Sequence, residues 1–291
     1  MPTAYDASRT ALYHPEQFDT LFTLGQTYSP VQLAVEAARL AYYRAEESAS
    51  ERARLQESLS RVGFTDLVLC VDANSGAAAF AAHRRDDGTA LLSFRGTRPD
   101  NYKDVITDLR ANLVAWPESA GRAHAGFASA VRGLRPQILE WIERAKPDLS
   151  KLILTGHSLG AAMATLAATI WRPGWLVTLG SPRVGDAAFV ATVGAAHLVR
   201  FVDCCDAVTD VPPEVGGYTH IGAHTYITRD GSIVENPDQT LILSDRLRAR
   251  VEYSLRYSWL FCRNVLVRDF ADHAPGNYAR AMFGAGTMKP D

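Results

Sequence analysis

The sequence predicts an α/β protein with a mostly parallel, doubly wound sheet and helices on both faces. Short apolar runs alternate with longer segments of helical periodicity through the middle of the chain. That alternation is typical of parallel strands joined by crossover helices. The length of 291 residues and the hydrophobic content of 47% are sufficient for the large core of one such domain.

The first third of the chain indicates one capped helix and three strands. Ser29 and Pro30 precede apolar residues at helical spacing, which is typical of a helix start. Apolar runs bounded by turn residues predict strands over 66–72, 77–83 and 90–96. We expect residues 1–60 to form a helical extension packed on a single domain that spans residues 1–291.

The rest of the chain continues the alternation and ends in helix. The pattern predicts strands over 151–155, 175–180 and 198–203, helices over 136–145, 158–170 and 186–197, and a hairpin that pairs 219–228 with 232–236. The last fifty residues return to helical periodicity and include an amphipathic segment over 244–270.

One serine lies between two glycines where a predicted strand becomes a helix. Ser158 is flanked by Gly156 and Gly160 in the run Gly-His-Ser-Leu-Gly. A sharp strand-turn-helix exposes the serine hydroxyl, and the glycines remove Cβ atoms that would clash in the turn. This is the nucleophile-elbow pattern of serine hydrolases, although an ordinary glycine-flanked turn can share the short motif.

A serine nucleophile needs a base and an acid, which in this arrangement follow it along the chain. The candidate bases are His220, His224 and His273, and the candidate acids are Asp203, Asp206 and Asp210. Asp206 lies just past a predicted strand end, and His273 lies in a loop that can reach over the elbow. We therefore favour these two, with His220 as the reserve base.

Composition excludes some classes of partner and indicates a compartment. The net charge of −2 gives no reason to expect a nucleic-acid partner. The first residues do not resemble a signal peptide, and no apolar run is long enough to cross a membrane. Four cysteines at positions 70, 204, 205 and 262 are then expected as reduced thiols, and the vicinal pair lacks the spacing of a zinc site. These observations predict a cytoplasmic protein.

Six ordered blocks between Phe94 and Tyr278 carry a family resemblance: SFRGT, HAGF, LTGHSLGAAMATLAA, VTLGSPRVGD, DAVTDVPP and DHAPGNY. Together they resemble the class 3 lipases, the fungal-lipase-like branch of the α/β-hydrolases. The resemblance implies the α/β-hydrolase fold and a lipase, phospholipase A1 or carboxylesterase activity that needs no metal or organic cofactor.

The resemblance also implies a role for five residues. Ser158 corresponds to the nucleophile, Asp206 to the acid and His273 to the base. Thr97 and the backbone N–H of Leu159 correspond to the oxyanion hole. The chain departs from the family in having Asp203 where Asn is usual and Ala207 where Pro is usual.

The expected substrate is an ester or lipid, most simply an acylglycerol. The segment Arg98–Leu109, at the position of the family's lid, is short and polar, which favours a broad-range esterase or lipase with weak interfacial activation. An acyltransferase could use the same triad, and a lipid-binding module would show a broken one.

Residues 244–270 interleave arginines with large apolar residues. This pattern fits a helix at a membrane or lipid-droplet surface. Such stripes usually face a core, however, so a helix packed on the sheet or an oligomer contact is the favoured interpretation.

Overall fold

A computed structural model describes residues 4–97, 112–257 and 262–284. Within these ranges, eight strands form one sheet in the order β1-β2-β3-β6-β7-β8-β9-β10, and β4 and β5 form a separate ribbon. The strands are β1 (Thr65–Val71), β2 (Ala78–His83), β3 (Ala90–Phe94), β4 (Leu113–Ala115), β5 (Arg122–His124), β6 (Leu152–His157), β7 (Trp175–Leu179), β8 (His197–Asp203), β9 (Thr225–Ile227) and β10 (Ile233–Glu235). The predicted lid segment Arg98–Leu109 lies outside the described residues.

The sheet is parallel at its centre and antiparallel at both edges. Strands β3, β6, β7, β8 and β9 pair in parallel. Strands β1 and β2 continue the sheet on one side by antiparallel pairing, and β10 ends it on the other side as the predicted hairpin with β9. The carboxyl ends of the parallel strands therefore meet at one edge, where sites in open α/β sheets gather.

The helices cover both faces of this sheet. They are α1 (Arg9–Tyr13), α2 (Pro30–Leu40), α3 (Ala49–Ser60), α4 (Ala125–Ala145), α5 (Leu159–Trp171), α6 (Ala187–Val190), α7 (Gln239–Tyr257), α8 (Arg268–Ala271) and α9 (Pro275–Phe283). One core lies between the sheet and helices α4 and α5, and a second lies between the opposite face and helices α2, α3 and α9. The predicted fold class is thus confirmed.

The start of α2 shows why this helix could be located from sequence. The Ser29 hydroxyl accepts the Gln32 N–H at 3.2 Å, and the Gln32 side chain accepts the Ser29 N–H at 3.0 Å. This reciprocal capping box satisfies two of the helix's unpaired donors, while Pro30 supplies the fixed φ of a first helical residue.

Three element boundaries differ from the prediction. Helix α4 begins at Ala125 and contains Pro136 in its interior, a position that proline disfavours and that sequence reasoning took for the start. The helix predicted over 186–197 ends at Val190, before the β-branched and glycine residues that follow. Residues 220–224 are irregular, and only Thr225–Ile227 pairs in the sheet.

The chain near Tyr5 pairs with the segment just before α8. The Val265 N–H donates to the Ala7 carbonyl at 2.9 Å, and the Arg9 N–H donates to the Arg263 carbonyl at 2.8 Å. The Asn277 side chain donates to the Asp6 carbonyl at 2.9 Å. These bonds fix the position of the loop that leads to His273. No helix in the described ranges is both long enough and apolar enough to cross a bilayer.

Candidate active site

Ser158 occupies a strained turn at the centre of the sheet. Strand β6 ends at His157 and α5 begins at Leu159, so Ser158 alone makes the turn, with φ 59° and ψ −126°. Its N–H donates to the Leu179 carbonyl of β7 at 2.9 Å. A non-glycine residue persists in this conformation only where its surroundings enforce it.

The two flanking glycines are required by close backbone contacts. A Cβ on Gly156 would lie 2.3 Å from the carbonyl carbon of Gly160. A Cβ on Gly160 would lie 2.1 Å from the Phe94 carbonyl oxygen at the end of β3. The first contact closes the turn on itself, and the second holds α5 against the neighbouring strand. The predicted elbow geometry is therefore present.

Asp206 and His273 form a buried hydrogen-bonded pair. The His273 Nδ1 lies 2.8 Å from Asp206 Oδ2, and neither side chain reaches solvent. The Tyr278 hydroxyl donates to the same Oδ2 at 2.5 Å, and the Val208 N–H donates to Oδ1 at 2.9 Å. Both carboxylate oxygens therefore have fixed partners, which sets the orientation of the imidazole.

His157 connects this pair to the serine elbow. Its ring lies 4.5 Å from the His273 ring, measured between centroids, and its Nδ1 lies 2.7 Å from the Tyr42 hydroxyl. Burial, with the adjacent His273, holds the pKa of His157 well below its ordinary value. His157 is thus neutral and adds no charge beside His273.

The other predicted acids and bases have different partners. The His220 Nε2 lies 2.7 Å from the Thr209 carbonyl oxygen, and burial lowers the His220 pKa to about 3. Asp203 is buried and accepts a hydrogen bond from Arg280 at 3.1 Å, whereas Asp210 is largely exposed and pairs with an α7 arginine. Of the candidates, the structure brings together Asp206 and His273, and His224 is only partly buried just before β9.

A cavity of about 560 Å³ opens beside the elbow. Thr97, Ser158 and Leu159 line it together with the apolar side chains of Phe127, Met163 and Val208. Leu159 is the first residue of α5, so its N–H belongs to the positive end of a helix, which favours a developing negative charge. A mainly apolar cavity with a few polar groups suits a small ester with an acyl chain.

One set of donor atoms has the composition of a metal site. In the described part of the chain, ligand atoms of Cys204, Cys205 and Asp272 lie within 4.8 Å of one another. Asp272, however, already pairs with the Arg268 guanidinium at 3.0 Å and accepts the Tyr5 hydroxyl at 2.9 Å. The guanidinium supplies the positive charge that a cation would bring, so these donors form a structural cluster.

Sequence reasoning did not assign a role to Tyr42 or Tyr278. Tyr278 was present in the block DHAPGNY but carried no role, and its contact with Asp206 depends on how α9 turns back on the sheet. Tyr42 follows α2, and its contact with His157 spans 115 residues of sequence. No local pattern signals a contact of that range.

Comparisons with known proteins find similarity to fungal lipases. The family model for lipase (class 3) matches residues 91–216. A lipase from Rhizopus niveus is 33% identical over 163 residues, which cover 50% of this chain and 41% of that protein. Secreted mono- and diacylglycerol lipase 1 from Fusarium solani is 34% identical over 161 residues, which cover 52% and 47% respectively. The chain therefore spans under half of the length of these curated relatives.

The solved structure of lipase II from Rhizopus niveus superimposes with a TM-score of 0.53 at 26% identity. The match covers 68% of this chain and 79% of that one. The shared architecture is the α/β-hydrolase fold.

The predicted cytoplasmic location is wrong. Relatives of this chain are named as secreted proteins, among them the Fusarium solani lipase. All four cysteines are free, but three of them are buried. The three buried thiols reflect packing and do not require a reducing compartment.

The site geometry, the fold and the family match over residues 91–216 all indicate similarity to the same group of proteins. Over residues 91–216 the chain is similar to the class 3 lipases.

Proposed function

We propose that this chain is a serine carboxylic-ester hydrolase, of the lipase or carboxylesterase type, that cleaves acyl esters through a Ser158-Asp206-His273 triad. The single observation that supports this most is the buried Asp206–His273 pair, 2.8 Å apart, next to a strained elbow serine that lines a cavity. The names of the relatives, which are lipases and mono- and diacylglycerol lipases, support acylglycerols as the substrate class.

The proposed reaction proceeds through an acyl-enzyme. Ser158 Oγ attacks the ester carbonyl carbon while His273 Nε2 takes the hydroxyl proton. Asp206, hydrogen-bonded to Nδ1, holds the ring and stabilises the imidazolium. His273 then gives the proton to the leaving alcohol, and a water molecule, activated by the same histidine, hydrolyses the acyl-enzyme.

The developing oxyanion faces the start of α5. The Leu159 N–H and Thr97 are the proposed donors, and one such donor typically contributes about 10²–10³ in kcat. No step requires a metal or an organic cofactor. His273 carries the proton, and these donors stabilise the negative charge of the oxyanion.

Two other enzymes could use the same triad, and one non-enzyme could use the same fold. A phospholipase A1 would prefer a phosphorylated glycerol, an acyltransferase would pass the acyl group to an alcohol, and a lipid-binding module would hold the ester without cleaving it. The filled positions of the acid, base and nucleophile favour the enzymes over the module.

A panel of p-nitrophenyl esters of graded acyl length tests the proposal. We expect turnover that falls with the longest chains, and labelling of Ser158 by a fluorophosphonate probe. Tributyrin, a phosphatidylcholine and an added alcohol acceptor distinguish lipase, phospholipase and acyltransferase. A folded protein with neither turnover nor labelling would be a binding module.

A further inference from the structure

Helix α7 has a continuous apolar row on its outer side. Leu243, Leu247, Val251 and Leu255 recur every four residues and are 65%, 66%, 52% and 72% exposed. The residues of α7 that pack inward are Ile242, Ala249 and Tyr253. At 3.6 residues per turn the two rows lie on opposite sides of the helix, so α7 is apolar on the side that faces away from the protein.

The charges beside this outer row are cationic. Asp245 and Glu252, the carboxylates of α7, both lie within 4 Å of Arg229, whose single charge balances one of the two. Arg248 and Arg256 are exposed and form no ion pair with the residues that the structure describes. Two unpaired arginines against one remaining carboxylate leave a net positive charge beside the aliphatic side chains of α7.

We propose that this face of α7 docks on an anionic lipid surface. Aliphatic residues flanked by arginines are the composition of helices that lie in the headgroup region of a bilayer, where the arginines meet lipid phosphates. A second copy of the chain fits less well. Two such faces packed together would bring their unpaired arginines together, and the exposed carboxylate on each, Glu252, already pairs with Arg229.

The docking face is attached directly to the loops of the proposed triad. The Arg246 guanidinium donates to the Cys204 carbonyl, two residues before Asp206, at 2.7 Å. Arg250 pairs at 2.6 Å with Asp269 in α8, the helix that leads to His273. Docking through α7 would bring a lipid-ester hydrolase to its substrate, and to that extent it rests on the proposed function.

Vesicle binding tests the docking without any turnover. The measurement is co-sedimentation of Ser158→Ala protein with vesicles of phosphatidylcholine, with and without phosphatidylglycerol. We expect clear binding to the anionic vesicles and weak binding to the neutral ones. Leu247→Gln with Leu255→Gln should lower the partition coefficient about tenfold, because two exposed leucines no longer enter the lipid.

Two controls separate docking from general hydrophobicity and from misfolding. Leu24 is 79% exposed and precedes α2 in the chain, outside the proposed docking helix, so Leu24→Gln should bind like the parent. The α7 double variant, made without Ser158→Ala, should hydrolyse a soluble short ester normally. If the parent hydrolyses no ester, circular dichroism replaces that check and the vesicle result still stands.

Charge removal gives an independent measurement. Arg248→Gln with Arg256→Gln should weaken binding to anionic vesicles several-fold, and the remaining binding should be less sensitive to salt. Equal binding by the α7 double variant and the Leu24→Gln control would overturn the proposal. So would a dimer in lipid-free sedimentation that the α7 double variant dissociates, since the face would then belong to a second copy.

Discussion

The region beneath the serine elbow and the outer face of α7 depart from the usual distribution of side chains in opposite directions. At the elbow, His157, Asp206 and His273 are polar and fully buried. On α7, leucines that would normally form a core face outward. The buried groups are stabilised by one another, because each has a partner within the fold. The exposed leucines have no such partner among the described residues.

The buried polar groups are satisfied by contacts within the fold, whereas the exposed leucines are available to an outside partner. Burying a charged or polar group is costly unless it is hydrogen-bonded, and the Asp206 carboxylate has three hydrogen-bond partners at 2.5 to 2.9 Å. Fixed dipoles of this kind are what acyl transfer requires. The α7 face instead resembles an interface that is not yet formed.

The strongest test of this contrast is removal of the Ser158 hydroxyl group from the buried region. Ser158→Ala should lower kcat by on the order of 10⁴–10⁶ while the fold is retained, because only binding and the oxyanion hole remain. The measurement is steady-state turnover of a short p-nitrophenyl ester. The α7 double variant should retain that turnover, and near-normal activity of folded Ser158→Ala would refute the triad.

The two candidate bases, His273 and His220, should respond differently to substitution. His273→Ala should reduce kcat about as much as Ser158→Ala, because the two groups act as a unit. His220→Ala should chiefly lower stability, since its ring bonds to the Thr209 carbonyl oxygen. The checks are kcat and the urea midpoint of each variant. A fully active His273→Ala would transfer the base to another residue.

Backbone contact at the elbow can be tested with a matched pair of glycines. Gly160→Ala places a Cβ 2.1 Å from the Phe94 carbonyl oxygen, whereas a Cβ on Gly276 meets nothing within 4 Å. We expect Gly160→Ala to lower the free energy of unfolding by about 3 kcal/mol, at the upper end of overpacking costs, and to reduce activity. Gly276→Ala, in α9, should be neutral or slightly stabilising. Equal urea midpoints for the two variants would show that the elbow can relax.

The smallest expected effect is a pH dependence of stability. His220 has a folded-state pKa of about 3 against an ordinary value of 6.5, so the unfolded chain binds more protons between these limits. Its contribution to stability is therefore complete above about pH 6.5 and is lost as the pH falls towards 3. His220→Gln should then cost more stability at about pH 7.5 than at about pH 4.5. A cost that is the same at both pH values, measured by urea unfolding, would mean that His220 titrates normally.

The sequence predicts the centre of this molecule better than its periphery. The elbow could be identified because Gly156 and Gly160 respond to a local steric requirement, and α2 could be placed because Ser29 and Gln32 form a local cap. Asp206 and His273 could be proposed as partners from chain order and loop position, and the structure brings them within hydrogen-bonding distance.

Features that depend on distant contacts could not be predicted in the same way. Pro136 marks no helix boundary, because the tertiary contacts of α4 outweigh its local preference. The outward direction of the α7 leucines depends on which side of that helix meets the sheet, and periodicity alone does not specify it. The predicted cytoplasmic location was wrong for a related reason. A free thiol can reflect burial of the cysteine as well as a reducing compartment.

The pairing of the chain near Tyr5 with the segment before α8 has a consequence for biosynthesis. The Tyr5 hydroxyl binds Asp272, next to the proposed base, across 267 residues of sequence. Ribosomes add residues from the N-terminal side, so residues 5–9 emerge long before their partners exist. The histidine loop can adopt its final position only after residues 263–277 have left the exit tunnel. The triad of a nascent chain therefore cannot assemble before residue 277 has been translated.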